Sequence, residues 1–287
     1  MTEEIRKPES REYYSAKLSP NDFKRLSAFI YDEMGIKMPE VKKIMIESRL
    51  QKRLQILNFS NFKDYLEFVF SKHGSGEIIH MMDVITTNKT DFFREPHHFE
   101  FLQQEVIPEF VKQFKSKILN IWSAGCSSGE EPYTLAMVLT DLVMKQQLAD
   151  FSIYATDIST NVLQKAVIAI YHENKITSIP LIVKKKYFLK SKDPANKSVR
   201  ICPEIRRKVV FERFNFMDDH FPVSTTFDII FCRNVIIYFD RLTQEKVINK
   251  LCMKLRKGGY FFLGHSESIT NMNVPLEHIK PTIFRKI

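Results

Sequence analysis

Cysteine is scarce in this chain, four residues in 287, and none of Cys126, Cys202, Cys232 and Cys252 forms a C-x-x-C pair. That scarcity argues against a disulfide scaffold or a metal centre, so reduced, packed thiols are expected. No segment has the unbroken apolar run of a membrane-spanning helix, and residues 1–19 lack the apolar core of a secretion signal. These absences predict a cytoplasmic protein with no membrane insertion. Also missing are the G-x-G-x-x-G spacing of phosphate-binding dinucleotide loops, the G-K-[ST] of a P-loop, and any internal repeat or low-complexity tract.

What is present is an ordinary globular composition, 44% hydrophobic and 27% charged, with length enough for one large core and a smaller companion. The net charge of +9 is concentrated. Between Lys165 and Arg213 stand Lys175, Lys184, Lys185, Lys186, Lys190, Lys192, Lys197, Arg200, Arg206, Arg207 and Lys208, opposed by Glu173, Asp193, Glu204 and Glu212. Such a stretch attracts a polyanion without separating nucleic acid from an acidic protein surface, and a merely solvated face is the plain alternative.

Apolar residues recur at helical spacing in three stripes: Phe23, Leu26 and Ile30; Ile44, Ile46, Leu50, Leu54 and Leu57; Phe62, Tyr65, Leu66 and Val69. A flexible tail over 1–18 and a helical domain over 19–75 are predicted, with a helix start at Ser19-Pro20. A linker over 76–95 leads to an α/β domain over 96–287 with a mostly parallel sheet. Its strand candidates are residues 118–123, 152–156, 209–214, 227–232 and 260–264, with residues 278–287 as a final edge strand.

The first strand runs into Ser123-Ala124-Gly125-Cys126-Ser127-Ser128-Gly129-Glu130-Glu131-Pro132. Glycines there allow a sharp turn before a helix, and without a phosphate motif the expected ligand is a nucleoside lacking phosphate. Asp157 ends the second strand, where open α/β sheets commonly bind ribose hydroxyls, although it also suits a helix cap. Asn215 and Arg233-Asn234 end two further strands.

Four segments then carry a resemblance. Thr86-Thr87-Asn88-Lys89-Thr90-Asp91-Phe92-Phe93-Arg94-Glu95, the Ser123-to-Pro132 loop, the stretch Phe227 to Asp240 containing Arg233-Asn234 and Tyr238, and Gly264-His265-Ser266-Glu267-Ser268 resemble, in order, the bacterial chemotaxis receptor methyltransferase family. The resemblance covers almost the whole chain. It implies a Rossmann-like domain with a mixed, mostly parallel seven-stranded sheet, a small N-terminal helical domain and a small antiparallel β insertion over 180–210. It also implies S-adenosylmethionine as cofactor and receptor glutamates as methyl acceptors, with S-adenosylhomocysteine as product. By matching positions, Asn88, Thr90, Arg94, Gly125, Glu131, Asp157, Asn215, Phe216, Arg233 and Asn234 are expected around the cofactor, with Glu130 open as an alternative to Glu131. Arg94 and Tyr238 are expected to position the substrate carboxylate.

The chemistry is consistent with that set. A glutamate of pKa near 4.3 is already ionised at pH 7, so it needs alignment and desolvation rather than a general base. His97, His98 and His265 are expected to be packing or solvent-facing groups, and Phe92-Phe93 core packing or a lid. Arg49, Lys52 and Arg53 form a basic helix face that the resemblance pairs with the acidic helical bundle of a chemoreceptor. The insertion has Lys190-Ser191-Lys192-Asp193-Pro194-Ala195-Asn196-Lys197 where some members have a glycine-bearing turn, so docking of a receptor tail peptide is not expected. A monomer is expected, and no nucleic-acid substrate, because the proline-containing segment of base methyltransferases is replaced by Arg233-Asn234-Val235-Ile236. The rival from another class is a cofactor-sensing module without turnover, against which Arg94 and Tyr238 argue.

Overall fold

The computed structural model describes residues 16–287 apart from Pro222. The expected tail falls largely outside the described residues, but residues 16–18 do not behave as a tail. Leu18 is buried, its N–H donates to Glu47 at 2.8 Å, and the Ala16 carbonyl accepts from Gln51 at 2.7 Å.

Contacts divide the chain after Thr87. The first unit holds α1 (Pro20–Met34), α2 (Lys43–Ile56), α3 (Phe62–Val69) and α4 (Ser75–Ile85). Ser19 caps α1 through its hydroxyl, Pro20 occupies the first turn, and Gly35 ends the helix in the left-handed region at φ 69°. Phe23, Leu26 and Ile30 face the core, as do Ile46, Leu50 and Leu54 of α2. Ile44 does not; it is 76% exposed, because the buried stripe begins at Ile46, and a residue two positions away lies on the opposite side of the helix. The segment expected as a linker over 76–95 is divided: α4 packs into the helical unit, and Asn88–Glu95 belong to the second.

The second unit, Asn88–Ile287, opens with α5 (His97–Phe101) and α6 (Ile107–Gln113). It continues through β1 (Leu119–Ala124), α7 (Glu130–Met144), β2 (Phe151–Asp157), α8 (Thr160–Ile168), β3 (Ile170–His172), α9 (Leu181–Tyr187), β4 (Phe188–Lys190), β5 (Ser198–Ile201) and α10 (Pro203–Arg206). It ends with β6 (Val209–Arg213), β7 (Phe227–Cys232), α11 (Arg241–Lys254), β8 (Leu255–Leu263), β9 (Leu276–Lys280) and β10 (Ile283–Lys286). Seven strands form one sheet in the order β6-β2-β1-β7-β8-β10-β9, parallel as far as β8 and antiparallel beyond it. β7 is buried at every position, as a parallel strand covered on both faces must be.

Two expectations about strands change. The single last edge strand is a hairpin, because Pro281 and Thr282 (φ 61°) turn the chain between β9 and β10. The insertion also starts earlier than residue 180: β3 at 170–172 pairs antiparallel with β5, giving a small β3-β5-β4 sheet. Pairing across roughly 30 residues, Ile170 with Arg200 and Tyr171 with Val199, leaves no local signature in a three-residue strand.

Candidate active site

β1 lies where the chain reverses its direction of travel across the sheet, with β2 on one side and β7 on the other. Parallel strands put their carboxyl ends together, and open α/β sheets bind ligands outside such a switch point. The loops after β1, β2, β6, β7 and β8 all emerge at this edge.

The loop after β1 is built tightly. The amides of Gly125 and Cys126 both donate to the Thr156 carbonyl, at 2.7 and 2.8 Å. Gly125 has φ 85°, and a Cβ there would sit 2.4 Å from the Val235 side chain, so backbone strain and close approach both demand glycine. Asp157 secures the loop from the next strand: it accepts from Ser127 N at 2.8 Å and from Ser159 N at 3.0 Å. It is not the helix cap, which is Ser159, the hydroxyl of which accepts from Val162 N. Ser127 Oγ reaches back to the Asn88 carbonyl at 3.0 Å and so ties the Asn88–Glu95 segment to the loop.

Glu130 and Glu131 both lie at the start of α7 and both are buried, but they face different partners. Glu130 accepts from Ser128 Oγ at 2.7 Å and faces Lys175 Nζ at 3.7 Å, and burial pushes its carboxyl above the usual range. Lys175 also donates to the Thr90 carbonyl at 2.7 Å and pairs with Asp91 at 3.0 Å. Glu131 accepts from Ser123 Oγ and from Arg233 Nε, each at 2.7 Å.

Arg233, just past β7, is the centre of the site. Beyond Glu131, its Nη1 donates to the Arg94 carbonyl at 2.8 Å, lies 3.3 Å from Glu95 and 3.0 Å from His98 Nδ1. Its guanidinium also lies over Phe99 and Phe231. The neutral form of His98 is enforced by burial and then by the Arg233 charge, which together hold its pKa down to about 3; its Nε2 lies 2.8 Å from Thr282 Oγ1. The expectation that His98 is only a packing or solvent-facing group is corrected: its buried ring is the polar support of Arg233. Phe92 is core, meeting Tyr171 and Phe188 edge-on.

The remaining expected residues are distributed around this edge. Asn215 is buried one residue beyond Phe214, whose amide donates to the Asp157 carbonyl, and Asn215 Oδ1 accepts from Met217 N at 3.1 Å. Phe216 meets Phe214 and Phe239 edge-on. Arg94 turns its guanidinium to the Lys89 carbonyl at 3.2 Å. Tyr238 closes the one-turn helix Ile236–Tyr238. Hydrogen bonds thus link Asn88, Asp157 and the glycine loop into one group, and Arg94, Glu131 and Arg233 into another. Sequence reading missed the roles of Lys175, Glu95 and Glu267, although the Thr86-to-Glu95 and Gly264-to-Ser268 motifs contained the last two.

The chemistry of the donor set suits S-adenosylmethionine. Buried carboxylates at the strand tips can accept from a ribose diol and an amino acid ammonium.

Comparisons with known proteins identify the family. Residues 88–284 match the family described as CheR methyltransferase, SAM binding domain, and residues 21–86 match CheR methyltransferase, all-alpha domain. A chemotaxis protein methyltransferase of Borreliella burgdorferi is 40% identical over 274 residues, covering 94% of this chain and 95% of the relative.

The chain belongs to the CheR methyltransferase family.

Other relatives are more distant but equally extended. The chemotaxis protein methyltransferase of Escherichia coli is 35% identical, covering 89% of this chain and 87% of its own. Chemotaxis protein methyltransferase 2 of Pseudomonas aeruginosa is 32% identical, covering 92% of each. As a CheR methyltransferase, this protein uses S-adenosylmethionine and methylates chemoreceptors at glutamate side chains in chemotaxis. The boundary between the two matched domains falls where the contacts divide the chain. Among the described residues, no helix is long and apolar enough to cross a membrane.

Proposed function

We propose that the strand-tip edge is the methyl-transfer site and that its residues divide the work as follows. Asp157 holds the ribose, Asn215 and Phe216 flank the adenine, and Glu131 takes the methionine ammonium, with Asn88, Thr90 and the Gly125 turn closing around the cofactor. Arg233 fixes Glu131 and the Arg94–Glu95 backbone, and Asn234 borders the transfer position. The observation that carries this reading is the convergence on Arg233 of the β1 loop, through Glu131, and the Asn88–Glu95 motif, through the Arg94 carbonyl and Glu95.

When bound, S-adenosylmethionine supplies a methyl group on a positively charged sulfur. The chain's own residues need only bring an acceptor carboxylate into line. Arg94 is a planar donor fork suited to orienting a carboxylate, and Tyr238 supplies a hydroxyl beside it. One carboxylate oxygen would gain the methyl group as the methyl–sulfur bond breaks and its electron pair stays on sulfur, leaving S-adenosylhomocysteine, and no proton moves, because the acceptor is already ionised. The grip must be loose, since tight pairing would stabilise the ground state as well as the transition state.

The partner surface is the acidic helical bundle of a chemoreceptor, met by a monomer in the cytoplasm. The buried, unpaired state of all four cysteines supports a reducing compartment. The basic face expected on α2 is smaller than its sequence suggests. Arg53 is committed to Glu77 at 2.8 Å, and Arg49 donates to the carbonyls of Ile85 and Thr86, which leaves Lys52 exposed on that face.

Radiolabelled methyl transfer to a chemoreceptor cytoplasmic fragment tests the reading. The label should leave as volatile methanol in mild base; label that resists base rules out a carboxyl ester. Asp157→Ala should chiefly weaken S-adenosylmethionine binding and Tyr238→Phe chiefly slow turnover. Unchanged cofactor affinity in Asp157→Ala would break the proposed pocket.

A further inference from the structure

The Glu267 carboxylate is buried and accepts four backbone N–H groups: Gly264 at 2.6 Å and Asn234 at 2.8 Å on one oxygen, Val235 and Ile236 at 2.9 Å each on the other. Three of these amides are consecutive and lead directly into the turn that carries Tyr238. The fourth belongs to the end of β8, so one side chain joins the tips of two neighbouring strands. Asn234, the first of the three, stands at φ 59°, in the left-handed region that asparagine tolerates better than most side chains, and its N–H is held there by Glu267. Its side-chain amide faces Glu95, and Gly264 packs so closely that a Cβ there would lie 2.3 Å from Asn234 Nδ2.

We propose that Glu267 is a positioning residue for methyl transfer, holding Asn234 in its left-handed conformation and thereby aiming Tyr238 at the acceptor carboxylate. The inference rests on the site reading given above. With two N–H groups directed at each oxygen, every lone pair of the carboxylate is engaged. An amide of the same shape would point its own hydrogens at two incoming donors. Glu267→Gln therefore breaks the clamp with little change of volume. A positional error of about 1 Å in an alignment-driven reaction costs on the order of 100-fold in rate.

The test measures kcat with a chemoreceptor cytoplasmic fragment and the Kd for S-adenosylmethionine in Glu267→Gln, Tyr238→Phe and the double variant, with thermal melts alongside. Glu267→Gln should lose at least about tenfold in kcat while its cofactor Kd stays within about twofold. In the double variant the loss should be well short of the product of the single losses, because both changes act through one group. A kcat like the parent's in Glu267→Gln, with Tyr238→Phe slow, overturns this inference and leaves the site reading intact. Fully multiplicative losses also overturn it, since a general structural defect would act independently of Tyr238. A parent-like Tyr238→Phe overturns the site reading and the inference with it. Should Glu267→Gln not fold, Gly264→Ala decides: it crowds Asn234 off the clamp while the Glu267 side chain itself is unaltered, and an unchanged kcat refutes the proposal.

Discussion

Each unit of the molecule buries an arginine against a glutamate, and the two pairs are built for different ends. In the helical unit Arg53 gives both Nε and Nη2 to the single carboxylate of Glu77, and Tyr65 Oη adds a third donor at 3.0 Å. The cluster closes on that one carboxylate and joins α2 and α3 to α4. In the methyltransferase unit Arg233 spreads its donors over Glu131, the Arg94 carbonyl and Glu95, with His98 behind it. A cluster closed on one carboxylate ties helices together; an arginine spread over several acceptors ties together several loops. On the proposed site reading, the second arrangement sets the geometry for methyl transfer, whereas the first only holds helices.

Removing one member of each pair should separate these roles. The largest effect is expected for Arg233→Met, which strands the carboxylates of Glu131 and Glu95. Breaking a buried pair costs about 3–5 kcal/mol, and here cofactor binding should be lost as well. Urea denaturation and calorimetric titration with S-adenosylmethionine check both, and retained affinity would show that the node is only structural. Glu77→Gln should cost about 3 kcal/mol in the helical unit while cofactor affinity in the other stays at the parent value. A matching loss of affinity would erase the contrast between the pairs.

The pH dependence sharpens it further. His98 is neutral in the fold with its pKa lowered to about 3, against about 6.5 when unfolded. Its contribution is therefore complete above pH 6.5 and is lost as pH falls from there toward 3, at about 1.4 kcal/mol per pH unit. Between pH 6.5 and 5, His98→Gln should show a correspondingly flatter stability profile than the parent. Equal slopes would mean that His98 is not held neutral against Arg233. The smallest effect is expected for Lys52→Ala, which should leave the denaturation midpoint unmoved and modestly slow association with a receptor fragment at low salt. A salt-independent association rate would count against an electrostatic role for that face.

Much of the fold was legible because it depends on local pattern. The α1 stripe, the Ser19-Pro20 start and the apolar run at Phe227–Cys232 each report burial and backbone preference within a few residues. Where the reading failed, distance was the cause. β3 was unreadable because its partner lies roughly 30 residues on, and the last strand was read as one because alternation continues through the turn at Thr282. The basic face of α2 looked free because nothing near Arg53 in sequence announces Glu77.

Residue types in order along the chain were enough for the fold class, the glycine turn at Gly125 and the family. That Arg233 binds Glu131, that His98 stands behind it, and that Glu267 gathers four amides at the strand tips became visible in three dimensions alone. Those are relations between groups separated by up to about 135 residues, and a buried charge takes its role from what surrounds it in space.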